Sequence, residues 1–558
     1  MSKSKKPKVK IIFLGGVDGI GMNCTAFEYE NDIIVVDCGV SFPEDDMLGV
    51  DLVIPDFTYL ENNAEKVRGL LITHGHEDHI GAVPHFLLKF PTVPVFAARL
   101  TLGILEGKLS EHGIRNAKLH EVHAGDNIKL GCFSTEFINV NHSMPDACAM
   151  CISTPCGRIL HTGDFKVDYT PVGEKMIDLP RIADLGRKGI RLLLCDSTNA
   201  ERPGYTPSES SLAESFDRIF NNETRRVVIA TFSSNVHRVQ QIINASAKYG
   251  RSVAISGRSM QNFVNAAVKL GYLDMPEGIM IDLNDVKKLP PERVTLVTTG
   301  SQGEPMSALY RMAFGEHNQI SLGFNDLVVL SSSAIPGNEK LITKIINELY
   351  KRGTDVITYS NYDVHVSGHA CREELKLIHA LTAPEFFIPV HGEYKHLVAH
   401  ADLAHEMGMH ESHIFLPEIG RVFEMSNRSI KPANIVQAGP VMVDGSGLGG
   451  ISGVVLRDRK RLSEDGVIIV SAGIDTEAMC ISVDPEVISR GFIYEKENEE
   501  LLSRITECAR QSLIRSLAKG IDDIEILRTR LRDEVGEYAR KRTKLRPMIV
   551  TILFEIQL

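Results

Sequence analysis

The sequence predicts a multidomain α/β protein. Its 558 residues exceed what one ordinary hydrophobic core accommodates, so two to four domains are expected. Short apolar runs that end in Gly, Asp or His alternate with helical patterns, which indicates layered sheets and helices. The hydrophobic share is 43%, and no apolar run approaches the roughly 20 residues that a membrane helix needs. We therefore expect a cytoplasmic protein with no membrane partner.

Five segments follow one another along the chain. Strand-like runs such as "KVKIIFLGG" and "RLLLCDST" fill residues 1–205, and over 206–362 helices and strands alternate as in a parallel-sheet domain. Residues 363–427 resume the first pattern, in which a strand ends in a histidine. A connector with few periodic positions covers 428–452, and residues 453–558 have the pattern of a small α+β domain.

The cysteine content and the net charge limit the kinds of function that the chain can have. Ten scattered cysteines without an export signal indicate reduced, buried thiols. Cys148 and Cys151 form a lone CxxC inside a strand-like run, and we expect a structural role for them because a zinc knuckle needs a second pair. The net charge of −11 argues against a protein that simply coats nucleic acid, but it allows a nuclease whose metal ions add local positive charge.

The strongest functional signal is "LLITHGHEDHIGA", in which an apolar strand runs into the pattern H-x-H-x-D-H. Alternate residues past a strand end can point to one side, so His74 and His76 can converge on one ion. Asp78 and His79 lie one step further and can turn towards another, whereas Glu77 has the opposite parity and is not expected to bind metal. Imidazole and carboxylate ligands together suit zinc or manganese.

Three further ligand candidates also follow apolar runs. His142 comes after "STEFINVN", Asp164 ends "ILHTGD" and could bridge two ions, and His391 ends "FFIPVH". A layered α/β fold gathers such strand ends at one edge, which predicts a dinuclear metal site there. The remaining histidines considered are expected to be polar caps or surface residues: His85, His112, His120, His317 and His400.

With these residues the chain resembles the metallo-β-lactamase fold. The segment from about 205 to 360, with "GRSMQ", "SSSAIPGNE" and the adjoining "HVSGHA", resembles the β-CASP nuclease insertion, and the whole chain is similar to the bacterial ribonuclease J family. The resemblance implies an αββα sandwich with an inserted β-CASP α/β domain and a small C-terminal α+β domain. It also implies two Zn²⁺ ions, with Mn²⁺ as the alternative.

The resemblance further implies activity and partners. The expected substrate is single-stranded RNA with a 5′-monophosphate, cut both from the 5′ end and internally, in mRNA decay and rRNA maturation. A homodimer or homotetramer is expected, with a paralogue as a further candidate partner.

Two segments are predicted to bind substrate. Ser233, Ser234 and Asn235 precede a helix, where hydroxyls and amides can bind an anion, although ordinary helix capping is the alternative. The resemblance implies that they hold an RNA phosphate, and Arg258 is a weaker phosphate candidate. The resemblance assigns substrate contacts to the second segment as well: His365, Val366, Ser367, Gly368 and His369.

Asp78, Asp196 and His369 are the predicted catalytic residues. Two divalent ions activate water for in-line attack on phosphorus. The resemblance implies that His369 delivers a proton to the leaving 3′-oxygen and that Asp196 orients His369. Each product would carry a new 5′-phosphate and could be cut again.

Several alternatives remain open. Acidic loops around Asp51 and Asp444 could bind a structural Ca²⁺, although solvated turns are the other interpretation. A thioester or lactam hydrolase of the same fold is one alternative, but the inserted domain argues against it. A β-CASP DNA-repair nuclease differs only in substrate, and a non-catalytic RNA-binding scaffold does not require the complete ligand set.

Overall fold

A computed structural model describes residues 8–44, 46–335, 337–445, 447–448, 453–494 and 498–556. The chain forms two compact units. The first comprises Met1–Ser41 and Val53–Val441, and the second comprises Phe42–Leu52 and Met442–Leu558. None of the described helices is long and apolar enough to cross a membrane.

The strands run in chain order as β1 (Val9–Gly15), β2 (Cys24–Tyr29), β3 (Asp32–Val36), β4 (Leu52–Pro55), β5 (Val67–Leu71), β6 (Val95–Ala97), β7 (Leu119–Glu121), β8 (Asn127–Leu130), β9 (Phe133–Asn139), β10 (Cys148–Thr154), β11 (Gly157–His161), β12 (Leu192–Asp196), β13 (Arg226–Ala230), β14 (Ser252–Ser256), β15 (Val294–Thr298), β16 (Asp326–Leu330), β17 (Asp355–Thr358), β18 (Phe386–Val390), β19 (Arg421–Met425), β20 (Ile430–Ile435), β21 (Pro440–Asp444), β22 (Gly447–Leu448), β23 (Val467–Asp475), β24 (Cys480–Arg490) and β25 (Met548–Glu555).

The α-helices are α1 (Thr58–Glu61), α2 (Glu77–Ile80), α3 (Val83–Lys89), α4 (Arg99–Glu111), α5 (Leu179–Arg187), α6 (Leu212–Phe220), α7 (Val236–Lys248), α8 (Arg258–Leu270), α9 (Ala308–Phe314), α10 (Glu339–Lys351), α11 (Arg372–Thr382), α12 (Tyr394–Glu406), α13 (Gly453–Asp465), α14 (Glu499–Leu517) and α15 (Ile524–Thr543). Short 3-10 helices cover Ala64–Lys66, Glu209–Ser211, Leu283–Lys288, Pro291–Arg293 and Glu411–His413.

Two sheets form the sandwich of the first unit. Their strand orders are β20-β19-β1-β2-β3-β5-β6-β7 and β18-β12-β11-β10-β9-β8. Apolar side chains from both sheets, such as Phe13 and Met150, share one buried core between them. Strands β12 and β18 are buried at every position because the second sheet is also covered on its outer face, where Phe387 contacts helix residues such as Leu375. The predicted αββα architecture is confirmed.

The two cysteines of the CxxC lie on β10 and point to opposite faces of the second sheet. Cys148 belongs to the core between the sheets, and Cys151 belongs to the core under the outer helices. They cannot share a metal ion, so the structural role predicted for them is confirmed.

A five-stranded parallel sheet forms the inserted β-CASP domain, with the order β14-β15-β13-β16-β17. Successive side chains of its strands point to opposite faces of the sheet and belong to two cores. Ile229 packs on the face covered by α6, α7 and α8, and Val228 packs on the face covered by α9 and α10. The chain crosses from one side of β13 to the other after β15. In open parallel sheets, ligands bind beside the carboxyl ends of the strands at the point where the strand order reverses. In this sheet, that point lies at the loops that follow β13 and β16.

The second unit contains the sheet β24-β23-β25, which packs one face against α14 and α15. The structure differs from the predicted segments in two places. Strand β20, inside the predicted connector, pairs with β19 through a turn at Ser426–Ser429, and residues 446 and 449–452 of that connector lie outside the described residues. Residues 42–52 group with the second unit, where the Asp51 N–H donates to the Val443 carbonyl at 2.9 Å. Neither contact has a local sequence signal.

Candidate metal centre and substrate loops

Loops after four strand ends bring the predicted metal ligands together. One group consists of His74, His76 and His142, and the other of Asp78, His79, Asp164 and His391, with the ligand atoms of each group within 4.8 Å of one another. The strands involved are β5, β9, β11 and β18. The structure therefore places all seven predicted ligands in one shared site.

The Asp164 carboxylate lies between the two groups. Its Oδ2 atom is 3.2 Å from Nε2 of His79 and 3.5 Å from Nε2 of His391. On the other side it is 3.7 Å from Nε2 of His74 and 3.8 Å from Nε2 of His142. Because one oxygen faces imidazoles of both groups, this carboxylate can serve two ions.

Hydrogen bonds at Nδ1 direct the imidazoles. Nδ1 of His79 donates to the Asp37 carboxylate at 2.8 Å, and Nδ1 of His142 donates to the Gly368 carbonyl at 2.8 Å. Nδ1 of His391 lies 2.7 Å from the Thr198 hydroxyl, which itself donates to Asp196, so the ring is the donor in that contact. Each ring thus keeps its Nε2 lone pair for the shared site.

His74 follows the same rule. Its Nδ1 lies 3.1 Å from the Thr73 hydroxyl, which donates to the Asp37 carboxylate at 2.9 Å. The ring therefore donates to Thr73 and points its Nε2 towards the site. The sequence analysis did not identify Asp37 and Thr73 as site residues. Asp37 does carry a usable signal, because it is a carboxylate at the end of the apolar run "DIIVVD", the same pattern that identified Asp164.

The residues fit divalent metal ions. Burial lowers the pKa of His76 to about 4 and lowers those of His74 and His142 well below the usual value, so these ligands are neutral. Nδ1 of His76 is 3.0 Å from Nε2 of His74 and 3.1 Å from Nε2 of His142. These separations approach the roughly 3.3 Å edge of a tetrahedron with metal–nitrogen bonds of about 2.0–2.1 Å.

Charge balance in the second group also suits a cation. Burial raises the pKa of Asp164, but the neighbouring His391 and His79 outweigh it and leave the carboxylate ionised. Burial alone would lower the pKa of His79 and His391, yet Asp164 raises both well above the usual value. A divalent cation would replace the protons that these carboxylates attract.

Next to the metal ligands, Asp196 forms a hydrogen bond with His369. Asp196 Oδ2 accepts from Nδ1 of His369 at 2.8 Å, and the carboxylate is 1% exposed. Burial lowers the pKa of His369, but the charge of Asp196 and this hydrogen bond outweigh it and raise the pKa overall. The imidazole is therefore held in one orientation with Nε2 free for a substrate.

The loop His365–His369 is tied to the inserted domain by Arg238. The Arg238 guanidinium is buried and lies 3.4 Å from Nδ1 of His365, whose Nε2 is 3.1 Å from the Ser333 hydroxyl. Since a guanidinium only donates, His365 accepts at Nδ1 and carries its proton on Nε2. Burial, followed by the charge of Arg238, lowers the pKa of His365 to about 3.

Arg238 itself is held by Glu209, its buried counter-ion, at 2.6 and 3.0 Å. The sequence analysis did not identify either residue, because no local sequence pattern marks an ion pair between residues 29 positions apart.

The remaining atoms of this loop also have partners. The Ser367 hydroxyl accepts from Asn199 at 2.9 Å, and the Val366 carbonyl faces Arg238 at 3.5 Å. A β-carbon on Gly368 would lie 2.7 Å from the His142 ring, so glycine is required for this approach.

The loop after β13 has two half-buried serines, Ser233 and Ser234, ahead of helix α7. The Asn235 side chain accepts from the Arg238 N–H at 3.0 Å, so its carboxamide oxygen caps the helix. Helix capping, the alternative for this segment, is thus present at Asn235. Arg258 begins helix α8 and is exposed.

The two calcium candidates have protein partners. Asp51 accepts from the Gly445 N–H at 2.7 Å, and Asp444 forms an ion pair with Arg459 at 2.7 Å. Neither belongs to a group of three or more ligand side chains among the described residues. The positive charge beside Asp444 is thus supplied by a guanidinium.

Glu77 points away from the metal ligands and pairs with Lys108 at 2.7 Å. The histidines expected to be polar caps or surface residues also have other neighbours, but His85 and His400 are buried, so a surface position is wrong for these two. His317 bonds Ser256 at 3.1 Å, and His400 bonds Ser197 at 3.0 Å. The other rings contact aromatic neighbours: His85 with His112, and His120 with Phe96.

Family models match consecutive parts of the chain. The metallo-β-lactamase superfamily matches residues 18–230, and the ribonuclease J β-CASP domain matches 224–349. The Zn-dependent metallo-hydrolase RNA specificity domain matches 357–417, and the ribonuclease J C-terminal domain matches 454–556.

Curated relatives match almost end to end. Ribonuclease J2 of Bacillus subtilis (strain 168) is 41% identical over 100% of both chains. Ribonuclease J 1 of Streptococcus pyogenes serotype M3 is 41% identical over 99% of this chain and 98% of its own. Ribonuclease J of Thermus thermophilus is 42% identical over 98% of this chain and 95% of its own.

A solved structure, a protein of unknown function from Enterococcus faecalis V583, is 18% identical and covers 75% of this chain and 100% of its own with a TM-score of 0.53, which supports the fold alone.

Fold and site define a metallo-β-lactamase-type hydrolase with a β-CASP insertion. The chain belongs to the ribonuclease J family of metal-dependent, phosphodiester-hydrolysing ribonucleases.

Proposed function

We propose that this chain degrades single-stranded RNA from a 5′-monophosphate end in the 5′-to-3′ direction and also cuts RNA internally, in mRNA decay and rRNA maturation. The observation that carries the proposal is the position of Asp164 between two ligand groups, with the Asp196–His369 pair beside it. Family membership supplies the substrate class.

His74, His76 and His142 would hold one ion, and Asp78, His79 and His391 the other, with Asp164 shared. Two zinc ions are our choice and manganese is the alternative, since nitrogen and carboxylate ligands accept both. Bound divalent ions activate water and neutralise the charge that a phosphodiester gathers during hydrolysis.

The chain's own residues orient the reacting groups. Asp196 fixes His369 with Nε2 exposed to the substrate, where it would protonate the leaving 3′-oxygen. Ser233 and Ser234 would bind the terminal phosphate through their hydroxyls, and the Nε2–H of the neutral His365 would exchange the Ser333 hydroxyl for a phosphate oxygen. Since every cut generates a new 5′-phosphate, the product can bind again after advancing by one nucleotide.

An end-labelled RNA assay tests this proposal. Substrates with 5′-monophosphate and 5′-triphosphate ends are compared for wild type and for Asp78→Ala/His79→Ala, with metal content measured for both. We expect labelled mononucleotides from the monophosphate end, internal fragments from the triphosphate RNA, and neither product from the metal-depleted variant. Full hydrolysis by a folded Asp78→Ala/His79→Ala variant would overturn the metal assignment. A cytoplasmic location, a homodimer or homotetramer, and a paralogue partner remain predictions.

A further inference from the structure

The C-terminal unit carries a group of cations that the proposed reaction does not use. Residues 540–546 contain five Lys or Arg and no Asp or Glu, and residues 457–461 contain four Lys or Arg and one Asp. The chain as a whole has a formal net charge of −11. The cations are thus segregated within an acidic chain and do not follow from its average composition.

Folding joins these two segments into one surface. Arg461 at the end of α13 donates from Nε to the Arg546 carbonyl at 2.8 Å and from Nη2 to the Pro547 carbonyl at 3.1 Å. The segment that follows α15 is thereby held against α13. We call the exposed cations of both segments the basic surface: Arg457, Lys460, Arg461, Arg540, Lys541, Arg542, Lys544 and Arg546.

Acidic side chains neutralise little of the basic surface. Lys541 pairs with Glu537 at 2.8 Å. In the part of the chain that the structure describes, Arg540, Lys544 and Arg546 form no ion pair, and Arg542 lies over the Tyr538 ring at 5.6 Å. Among the described residues, Glu537 is the one carboxylate that forms an ion pair with the basic surface, so its cations outnumber the acidic groups paired with them.

Helix electrostatics explain only part of this arrangement. Cations in the last turn of α15, which ends at Thr543, stabilise the negative end of the helix dipole. That effect covers Arg540 to Arg542. It does not cover Lys544 and Arg546 beyond the helix, or the cations of α13.

We propose that the basic surface, none of whose residues is a predicted metal ligand or substrate-loop residue, binds the phosphate backbone of RNA. Exposed Lys and Arg without a buried base-reading pocket contact phosphates and carry no sequence information. RNA is chosen among polyanions because the chain acts on RNA, so this choice rests on the proposed function.

Binding of a long mixed-sequence oligoribonucleotide tests the proposal, in an Asp78→Ala background that prevents cleavage. The test variant is Arg540→Gln, Arg542→Gln, Lys544→Asn and Arg546→Gln in one chain. Asn is used at Lys544 because this residue has a φ of 68°, which Asn tolerates.

The matched control removes four cations of the same unit that are already paired with carboxylates: Arg504→Gln, Arg510→Gln, Arg515→Gln and Arg532→Gln. Affinity is measured over a range of salt concentrations, and thermal unfolding verifies that both variants fold.

We expect the test variant to bind RNA about tenfold more weakly or worse, with a salt slope shallower by roughly 3, because each phosphate contact contributes about −0.7 for single strands. The control should keep both properties. Equal losses in both variants, or none in either, would overturn the proposal. So would RNA binding that is unchanged while binding to anionic vesicles or polyglutamate is lost.

Hydrolysis of a 5′-monophosphate tetranucleotide, with Asp78 intact, separates this inference from the proposed function. We expect the test variant to cleave it at the wild-type rate. A wild type that does not hydrolyse the tetranucleotide contradicts the proposed function, whereas the RNA-binding comparison still decides the role of the basic surface.

Discussion

The buried ion pair between Glu209 and Arg238 provides a quantitative test of how the inserted domain is stabilised. The guanidinium is 0% exposed and donates to both carboxylate oxygens, at 2.6 and 3.0 Å. Glu209→Gln keeps the shape of the side chain but leaves the guanidinium without its counter-ion. Breaking a buried pair costs about 3–5 kcal/mol. Two charge-assisted hydrogen bonds of about 1.5–3 kcal/mol each lead to a similar range.

Urea titration followed by far-ultraviolet circular dichroism measures this loss, since the chain contains no tryptophan for fluorescence. Arg504→Gln, which breaks an exposed pair with Glu500, should leave the urea unfolding curve unchanged. Glu209→Leu/Arg238→Met should recover much of the stability because no charge stays buried. A loss below about 1 kcal/mol for Glu209→Gln would show that the Ser331 carbonyl alone satisfies the guanidinium, and would refute the reasoning.

Three further predictions concern pH and metal binding. Burial raises the pKa of Glu209, but the Arg238 guanidinium outweighs burial and lowers the pKa overall. The ion pair therefore stabilises the fold fully above the pKa of Glu in the unfolded chain, about 4.3. This stabilisation is lost as the pH falls through the lower pKa of Glu209 in the folded protein. Urea titrations at falling pH should show wild type and Glu209→Gln converging. Gly368→Ala should lower metal affinity at least tenfold, because its new methyl would displace the His142 ring. Asp37→Asn should lower metal affinity about 10–100-fold by removing the negative charge from the group that accepts the His79 hydrogen bond.

Controls separate metal binding from folding in the last two variants. Gly107→Ala lies on helix α4 with open space around the new methyl, so its metal affinity should equal that of wild type. Asp37 has a φ of 61°, a conformation that Asn tolerates, so the backbone at that variant is preserved. Chelator competition measures the affinities. Wild-type affinity in either variant would contradict the assigned second partner of the corresponding histidine.

The ligand positions could be predicted because each is a local event, an apolar run followed at once by His or Asp. The groups that orient those ligands could not, since they depend on strand pairing. Strand β3 pairs in parallel with β5, with Val36 opposite Leu71, and this register places Asp37 beside Thr73. The Gly368 carbonyl reaches His142 across 226 positions. Such neighbours are set by tertiary structure alone.

The same distinction applies to the domain pattern. Periodicity separates the sandwich from the parallel sheet of the insertion, because each has its own alternation of strands and helices. The short segment Phe42–Leu52 has no periodic apolar positions of its own, and its place in the second unit follows from backbone contacts such as Asp51 to Val443. A backbone contact of this kind cannot be predicted from the amino-acid composition of either segment.

The position of the insertion links folding to chemistry. Residues 206–362 separate Asp164 from His369 and His391, so the last ligand and the predicted proton donor come from the part of the chain that follows the inserted domain. The Glu209–Arg238 pair stands at that junction, and Arg238 also contacts His365. A loss of this pair should therefore disturb the substrate loop and, through the Gly368 carbonyl, also His142. The partners of His74 and His79 precede the insertion and should be less affected.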